Sequence, residues 1–295
     1  MSRIVVTGST GLIGTALVAA LHERGDEVVR LVRRTPRAAD EVQWDPASRH
    51  LDPTVLDGVD AVVNLASAGA ADQRWSPRFK HEFLSSRTDS THAVATAVAA
   101  ADHAVRFVNA SAIGYYGDRG DEELTEASPP GTGFFPDVVL AWEAAAAPAV
   151  DAGASVALAR TGLVLATDGP LARMLTLARL GLGGPLGGGR AFWSWITLPD
   201  EVGAWLHLLD HPEVTGPVNL VSPSPVRQRE IAAALGRALH RPAVLPAPAF
   251  GVRLVVGEFA DEILASKRIV GDVLADSGYT CTHPDLDSAV RWLVA

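Results

Sequence analysis

The residues of this chain best suited to chemistry begin at Thr7-Gly8-Ser9-Thr10-Gly11-Leu12-Ile13-Gly14, three glycines at fixed offsets among three hydroxyl side chains. Gly8 allows a sharp turn, Gly11 lets the backbone approach a ligand, and Gly14 lets a following helix lie tight on the preceding strand. A helix starting there offers free N–H groups and partial positive charge to a phosphate. Between a strand and an amphipathic helix, this spacing points to a dinucleotide. A second group, Arg33-Arg34, lies about 20 residues further on, where an acid would bind the ribose 2′-hydroxyl of NAD and arginine accommodates the 2′-phosphate of NADP. Arginines stand there and no acid does, so NADP (NADPH) is the expected cofactor, with Ser9 and Thr10 as further phosphate hydroxyls. The competing reading of Arg33 and Arg34 is solvated surface charge.

A third group is Ser111 with Tyr115 and Tyr116. A hydroxyl at a strand end beside two phenols offers a route for proton transfer, and these three are the candidate catalytic residues; the competing reading packs both tyrosines as pocket walls. His207 and His211 lie one helical turn apart, but no glutamate follows His207 and Asp210 faces another side, so a helix end explains them and no metal is expected. Asp118, Asp121, Glu122 and Glu123 read as a solvated acidic turn, and Trp75, between Arg74 and Arg78, as a packed or pocket-lining tryptophan.

The elements that must position these groups follow from periodicity. Ile4-Val5-Val6 reads as a buried strand, and Ile13, Leu17, Ala20 and Leu21 as the apolar face of the next helix. Further strands are expected at 27–32, 60–66, 106–111, 155–159 and 218–221, with a short apolar segment at 42–44. Helices are expected at 87–101, 142–150 (kinked by Pro148), 200–209, from Ser224-Pro225 onward, and 286–293. A loop is expected at Thr125 to Pro136, where prolines and glycines crowd together, and Gly181 to Arg190 is too glycine-rich for regular structure. Such alternation implies an α/β fold, a doubly wound parallel sheet binding ligands at the strand carboxyl ends. The expected division is a nucleotide-binding domain over 1–165, with 196–222 returning to it, and a smaller C-terminal α/β substrate region over 166–295.

Length and composition agree with a soluble globular protein: 295 residues, 48% hydrophobic and 20% charged. A formal charge of −9 without a basic cluster argues against nucleic acid or an anionic membrane as partner and for a small molecule. Cys281 is the single cysteine, so no internal disulfide or thiolate cluster can form, which suits a cytoplasmic location. No apolar run approaches the roughly 20 residues of a membrane span. A homodimer is allowed by these features and not required.

The combined pattern Thr7-Gly8-x-Thr10-Gly11-x-x-Gly14, Asn64-Leu65-Ala66, Tyr115-Tyr116-Gly117 and Arg160-Thr161-Gly162 resembles the extended short-chain dehydrogenase/reductase superfamily. More narrowly, Arg74-Trp75, Ser86-Arg87 with Thr91, Trp142-Glu143, Gly181 to Arg190 before Trp193-Ser194-Trp195-Ile196, Leu239-His240-Arg241-Pro242 and Pro284-Asp285-Leu286 resemble its atypical epimerase-family branch, related to sugar-nucleotide epimerases. The resemblance implies a Rossmann-like NAD(P)-binding sheet with Leu12, Ile13, Leu65, Ala66, Arg87, Ser111, Arg160 and Gly162 at the cofactor.

The superfamily resemblance also implies a Tyr-x-x-x-Lys pair, in which lysine lowers the tyrosine pKa from about 10. Counting back from Glu143, which resembles the acidic end of that helix, places Phe135 at the tyrosine position and Val139 at the lysine position. Neither carries a proton. The sequence therefore supports an NADP-binding oxidoreductase or epimerase-like enzyme on an unidentified small molecule. The alternative is a non-catalytic NADP-binding or redox-sensing protein, and isomerisation through a tightly held cofactor is a third reading that rests on the resemblance alone.

Overall fold

In the computed structural model, which describes residues 1–169 and 172–295, the first strand β1 (Arg3–Thr7) leads through the glycine turn into helix α1 (Leu12–Arg24). The chain then forms β2 (Glu27–Val32), β3 (Glu41–Gln43), β4 (Ala61–Asn64), α2 (Pro77–Ala100), β5 (Arg106–Ala112), β6 (Glu123–Leu124), α3 (Phe134–Ala144), α4 (Ala147–Asp151) and β7 (Val156–Thr161). Beyond these come β8 (Leu163–Leu165), α5 (Ala172–Arg179), β9 (Phe192–Trp193), β10 (Trp195–Thr197), α6 (Leu198–Asp210), β11 (Gly216–Leu220), β12 (Val226–Arg227) and α7 (Gln228–Ala238). The tail carries α8 (Ala249–Val256), α9 (Ala260–Leu264), β13 (Arg268–Ile269), α10 (Asp272–Asp276) and α11 (Leu286–Val294).

Among the described residues the main sheet has seven strands in the order β11-β7-β5-β4-β1-β2-β3, every neighbouring pair parallel. Alternation along each strand sends side chains to opposite faces. Ile4 and Val6 join one core with Leu17 and Leu21 of α1 and Trp205 and Leu208 of α6. Val5 joins the other with Val94 and Val98 of α2, Val62 and Phe107. Both faces of the sheet are therefore covered, as a parallel sheet requires. The strand order reverses between β1 and β4, so the crevice for a ligand opens at Thr7 and Asn64.

A second core forms from Leu175 of α5, Ile231 and Leu235 of α7, and Val290 and Leu293 of α11, around Leu165 and Trp195. No helix of the described residues is long and apolar enough to cross a membrane.

Four elements differ from the sequence reading. The helix expected over 142–150 is instead the end of α3 and, past Ala145 and Ala146, the separate α4, whose first turn accommodates Pro148 because no N–H donor is needed there. Helix α2 starts ten residues earlier than expected, at Pro77, capped by Ser76 Oγ accepting from Phe79 N–H; the charged run Arg78 to Glu82 hides the buried pair Phe79 and Phe83. The expected loop over 125–136 becomes helix at Phe134, and Pro136 fits because a first helical turn needs no N–H donor there. Ser224 does not cap α7: Val226 and Arg227 first pair with β9, and the helix starts at Gln228 with Glu230 Oε2 accepting from Arg227 N–H.

Glu201 of α6 is wholly buried; its Oε1 accepts from Thr161 Oγ1 at 2.7 Å and Trp205 Nε1 at 2.9 Å, and Oε2 has no partner. Burial pushes its carboxyl from 4.5 up to about 7. The folded chain then holds a proton that the unfolded chain has lost, so stability falls as pH rises through the window from 4.5 to about 7. The displacement corresponds to about 3 kcal/mol. Glu201→Gln is expected to flatten this part of the stability curve and to raise stability above pH 7, read by urea unfolding across a pH series; an unchanged slope would rule this out.

Candidate functional site

The crevice is built from a polar network in which each side chain is bonded. Thr7 Oγ1 donates to Asn64 Oδ1 at 2.6 Å and accepts the N–H groups of Leu65 and Ala66 at 3.1 and 3.0 Å. Asn64 Nδ2 donates to Asn109 Oδ1 at 2.7 Å and Thr91 Oγ1 at 3.0 Å, and Trp142 Nε1 donates to Thr91 Oγ1 at 3.0 Å. Thr7, Asn64, Thr91 and Asn109 are all fully buried. Three strand ends are thereby tied to α2 and α3.

The glycines divide their tasks. Gly8 has φ +63°, and a Cβ there would lie 2.6 Å from the Leu65 carbonyl; a Cβ on Gly14 would lie 2.2 Å from Gly8 O. Gly11 is exposed, and a Cβ on it would meet only Gly8 O at 3.4 Å. Its open side therefore faces the crevice mouth, where α1 begins without a side-chain cap or an acid in its first turn. The N–H groups of Leu12, Ile13 and Gly14 have no intrahelical acceptor there. Beside them Ser9 Oγ is buried and has no hydrogen-bond partner among the described residues, while Thr10 is exposed. This is a cradle for a pyrophosphate: open backbone donors, an orphaned hydroxyl and the positive end of a helix.

At the end of β2 the two arginines separate. Arg34 is held by a two-pronged pair with Glu41, at 2.7 Å to each oxygen, and its guanidinium together with the Arg37 N–H holds the Glu41 carboxyl down at about 2. Arg33 is exposed and has no hydrogen bond or ion pair among the described residues. Of the two, Arg33 is the cation without a partner among the described residues and could meet a 2′-phosphate, while Arg34 orders the turn. Arg87, on α2 across from Ala66, is buried, donates to Phe83 O at 2.8 Å and stacks 3.5 Å from the Phe83 ring, with no carboxylate partner among the described residues. Burial lowers it to about 9. Only the through-space charge of Asp72 offsets its burial, so this cation suits an anionic ligand. These residues fit an NADP dinucleotide.

At the other end of the crevice, Ser111 Oγ donates to Glu143 Oε1 at 2.5 Å. Glu143 forms a bidentate pair with Arg160 at 2.8 Å for both bonds, and Arg160 Nη1 donates to Tyr116 Oη at 3.0 Å. Tyr116 Oη in turn donates to Asn219 Oδ1 at 2.8 Å. This corrects three expectations. Tyr116 is fully buried, its hydroxyl faces Asn219 rather than the crevice, and burial pushes its phenol up, so it is a strut. Arg160 is buried, with its donors engaged by Glu143 and Tyr116. Gly162 packs, since a Cβ there would lie 2.9 Å from Val221 Cγ1 and 3.0 Å from Ser194 O.

Ser111 and Tyr115 remain at the crevice. The Tyr115 ring is stacked 3.5 Å from the Arg160 guanidinium carbon and is half-buried. Phe135 lies among Trp75 and Phe259, with ring centroids at 4.9 and 6.1 Å, and Val139 is buried. Trp75 is the centre of this aromatic cluster and donates from Nε1 to Ala70 O. His207 and His211 stack at 4.1 Å, bonded to Ser277 and Glu213 respectively. Sequence reasoning used Glu143 only as a positional marker and missed it as the partner of Ser111; its place eight residues after Phe135 carried no sign of that contact.

Replacing Glu143 by Ala leaves the buried Arg160 without its counter-charge and removes the acceptor of Ser111. Loss of one partner of a buried ion pair costs about 3–5 kcal/mol. Glu143→Ala is expected to lose stability on that scale in urea unfolding, far more than Glu213→Ala at an exposed pair; equal losses would refute the ordering.

With this geometry in view, the relatives fall into place. The model of the NAD dependent epimerase/dehydratase family matches residues 4–220, and that of a domain of unknown function (DUF1731) matches 247–293. An epimerase family protein of Mycobacterium tuberculosis is 44% identical over 291 residues, 98% of this chain and 96% of that one. The crystal structure of the human epimerase family protein SDR39U1 (isoform 2) with NADPH superposes with a TM-score of 0.91 at 34% identity, covering 99% of this chain and 98% of the other. A nucleoside-diphosphate sugar epimerase from Corynebacterium glutamicum gives 0.83 at 33% identity, covering 99% of this chain and 58% of its own. Together with the glycine cradle and the switch-point crevice, these matches show that the chain belongs to the NAD dependent epimerase/dehydratase family.

Proposed function

We propose that this protein is an NADPH-dependent oxidoreductase of the epimerase family, acting on a small molecule bound between the crevice and the C-terminal segments. The observation that carries the cofactor choice is Arg33, an unpartnered cation at the end of β2 beside an Arg34 already held by Glu41. The human relative crystallised with NADPH supports the same choice. Gly8, Ser9, Gly11 and the first N–H groups of α1 hold the pyrophosphate, Arg87 supplies buried positive charge, and Leu65 and Ala66 border the crevice. When bound, the nicotinamide supplies or accepts hydride.

The chain's own residues then orient the substrate. Ser111, fixed by Glu143, keeps oxygen lone pairs free to accept from a substrate hydroxyl, while Tyr115 closes the site from the loop after β5. Residues 166–295 furnish the substrate region. One observation favours a second reading, a non-catalytic NADP-binding or redox-sensing protein: Phe135 and Val139 occupy the positions of the proton-carrying pair and pack in apolar surroundings.

Arg33→Ala is expected to weaken NADPH binding about 10- to 100-fold, the equivalent of a hydrogen bond to a charged group, and to leave NADH binding unchanged, as measured by nicotinamide fluorescence titration. Equal affinity of the unaltered chain for the two dinucleotides would sink the NADP assignment. NADPH binding without oxidation across a broad carbonyl panel would favour the sensor.

A further inference from the structure

The region where Phe135 and Val139 leave no proton carrier is not without charge. A methyl group built on Gly114, in the loop after β5, would lie 3.6 Å from Phe135 Cβ, 3.7 Å from Val139 Cγ2 and 3.7 Å from Glu262 Oε1. A carboxylate from α9 thus borders the same point as the two apolar residues. Glu262 is paired with Lys267, Nζ to Oε1 at 2.7 Å. The lysine side chain is 5% exposed and the glutamate 21%, so the glutamate is the more open member of the pair. Lys267 is one of only two lysines in the chain, the other being Lys80.

The segment carrying this pair is anchored at several points. Trp193 Nε1 donates to Ile263 O at 3.1 Å, Lys267 N–H to Phe192 O at 3.0 Å, and Ser266 N–H to Asp118 Oδ1 at 3.1 Å. Strand β13 then pairs with β6 in the loop that follows Gly117. Such fixation on several elements is what a positioned proton carrier needs.

We propose that Glu262 is the proton-exchanging residue of this site and Lys267 its positioning residue, a pair brought by the C-terminal segment to the place where Phe135 and Val139 carry no proton. The inference rests on the oxidoreductase reading for its chemistry but not for its location. In alcohol oxidation the substrate C–H bond breaks as hydride, with its electron pair, passes to the oxidised cofactor. The substrate O–H bond breaks too; its electrons form the new carbonyl π bond, and the proton forms an O–H bond on Glu262. Carbonyl reduction runs the same steps backwards. Lys267 holds the Glu262 carboxylate in place through its hydrogen bond, and Phe135 packs with Trp75 and Phe259 beside this point, an apolar surface for an aromatic or apolar group.

Two measurements test this on the full chain. In the first, carbodiimide activation with glycine ethyl ester is followed by peptide mass analysis at Glu262, including the Glu262–Lys267 amide cross-link. NADP⁺ is expected to protect Glu262, whereas 2′,5′-ADP, which lacks the nicotinamide half, is not; equal modification with and without NADP⁺ overturns the placement. In the second, oxidation of 1-indanol by NADP⁺ is followed by absorbance. Glu262→Gln is expected to lower kcat about 10²- to 10⁴-fold, with NADPH affinity unchanged. Lys267→Met is expected to lower kcat with the KM for 1-indanol unchanged, and Lys267→Arg, which keeps a donor for the carboxylate, to restore part of the loss; equal kcat in Lys267→Met and the unaltered chain overturns the positioning role. Unchanged turnover in Glu262→Gln overturns the proton-exchanging role. An unaltered chain inert towards 1-indanol and across the carbonyl panel, with Glu262 still protected by NADP⁺, overturns the oxidoreductase reading and supports the placement of the pair.

Discussion

The hydrogen bond from Thr7 to Asn64 is the constraint on which the crevice depends. It joins the two strands between which the chain reverses its order across the sheet, and its acceptor reaches on to Asn109 and Thr91. In a buried setting a half-satisfied network costs more than an apolar one. Here Thr7 also receives the N–H groups of Leu65 and Ala66, so the segment leaving β4 is held against the glycine turn. Gly8 must then lack a side chain, because the Leu65 carbonyl occupies the space a Cβ would take.

A second buried network organises the far end of the same crevice. Ser111, Glu143, Arg160, Tyr116 and Asn219 connect β5, α3, β7 and β11 through charge-assisted bonds. Its outcome is selective: it turns Tyr116 and Arg160 into supports and leaves Tyr115 half-buried near the buried Ser111. The C-terminal segment completes the enclosure, with Phe259 stacked at 6.0 Å on Trp75 and Glu262 beside Gly114. Family membership accounts for the nucleotide half of this arrangement; the other half is built from contacts between distant parts of the chain.

Much of the scaffold was legible beforehand. Parallel winding follows from the alternation of β-branched runs with amphipathic stretches, and the cradle from three glycines in a strand–turn–helix context. The misread boundaries share one cause, which is tertiary burial overriding local signals. Phe79 and Phe83 are drawn into helix by the aromatic cluster they enter, despite the charged residues around them. Val226 and Arg227 extend because β9 offers them a pairing partner, although Ser224-Pro225 carries a helix-start signal.

By itself the sequence determined the phosphate cradle, the two-sided parallel sheet and the absence of a tyrosine–lysine pair, since each depends on neighbouring residues whose backbone geometry is locally dictated. Tertiary structure alone decided which of two adjacent arginines is free, because that depends on Glu41 in the next strand. It also decided which of two adjacent tyrosines is buried, because that depends on Asn219, 103 residues away. The Glu262 carboxylate reaches Gly114 for the same reason. Side-chain pairing across long separations is set by packing, and packing has no signature in local spacing.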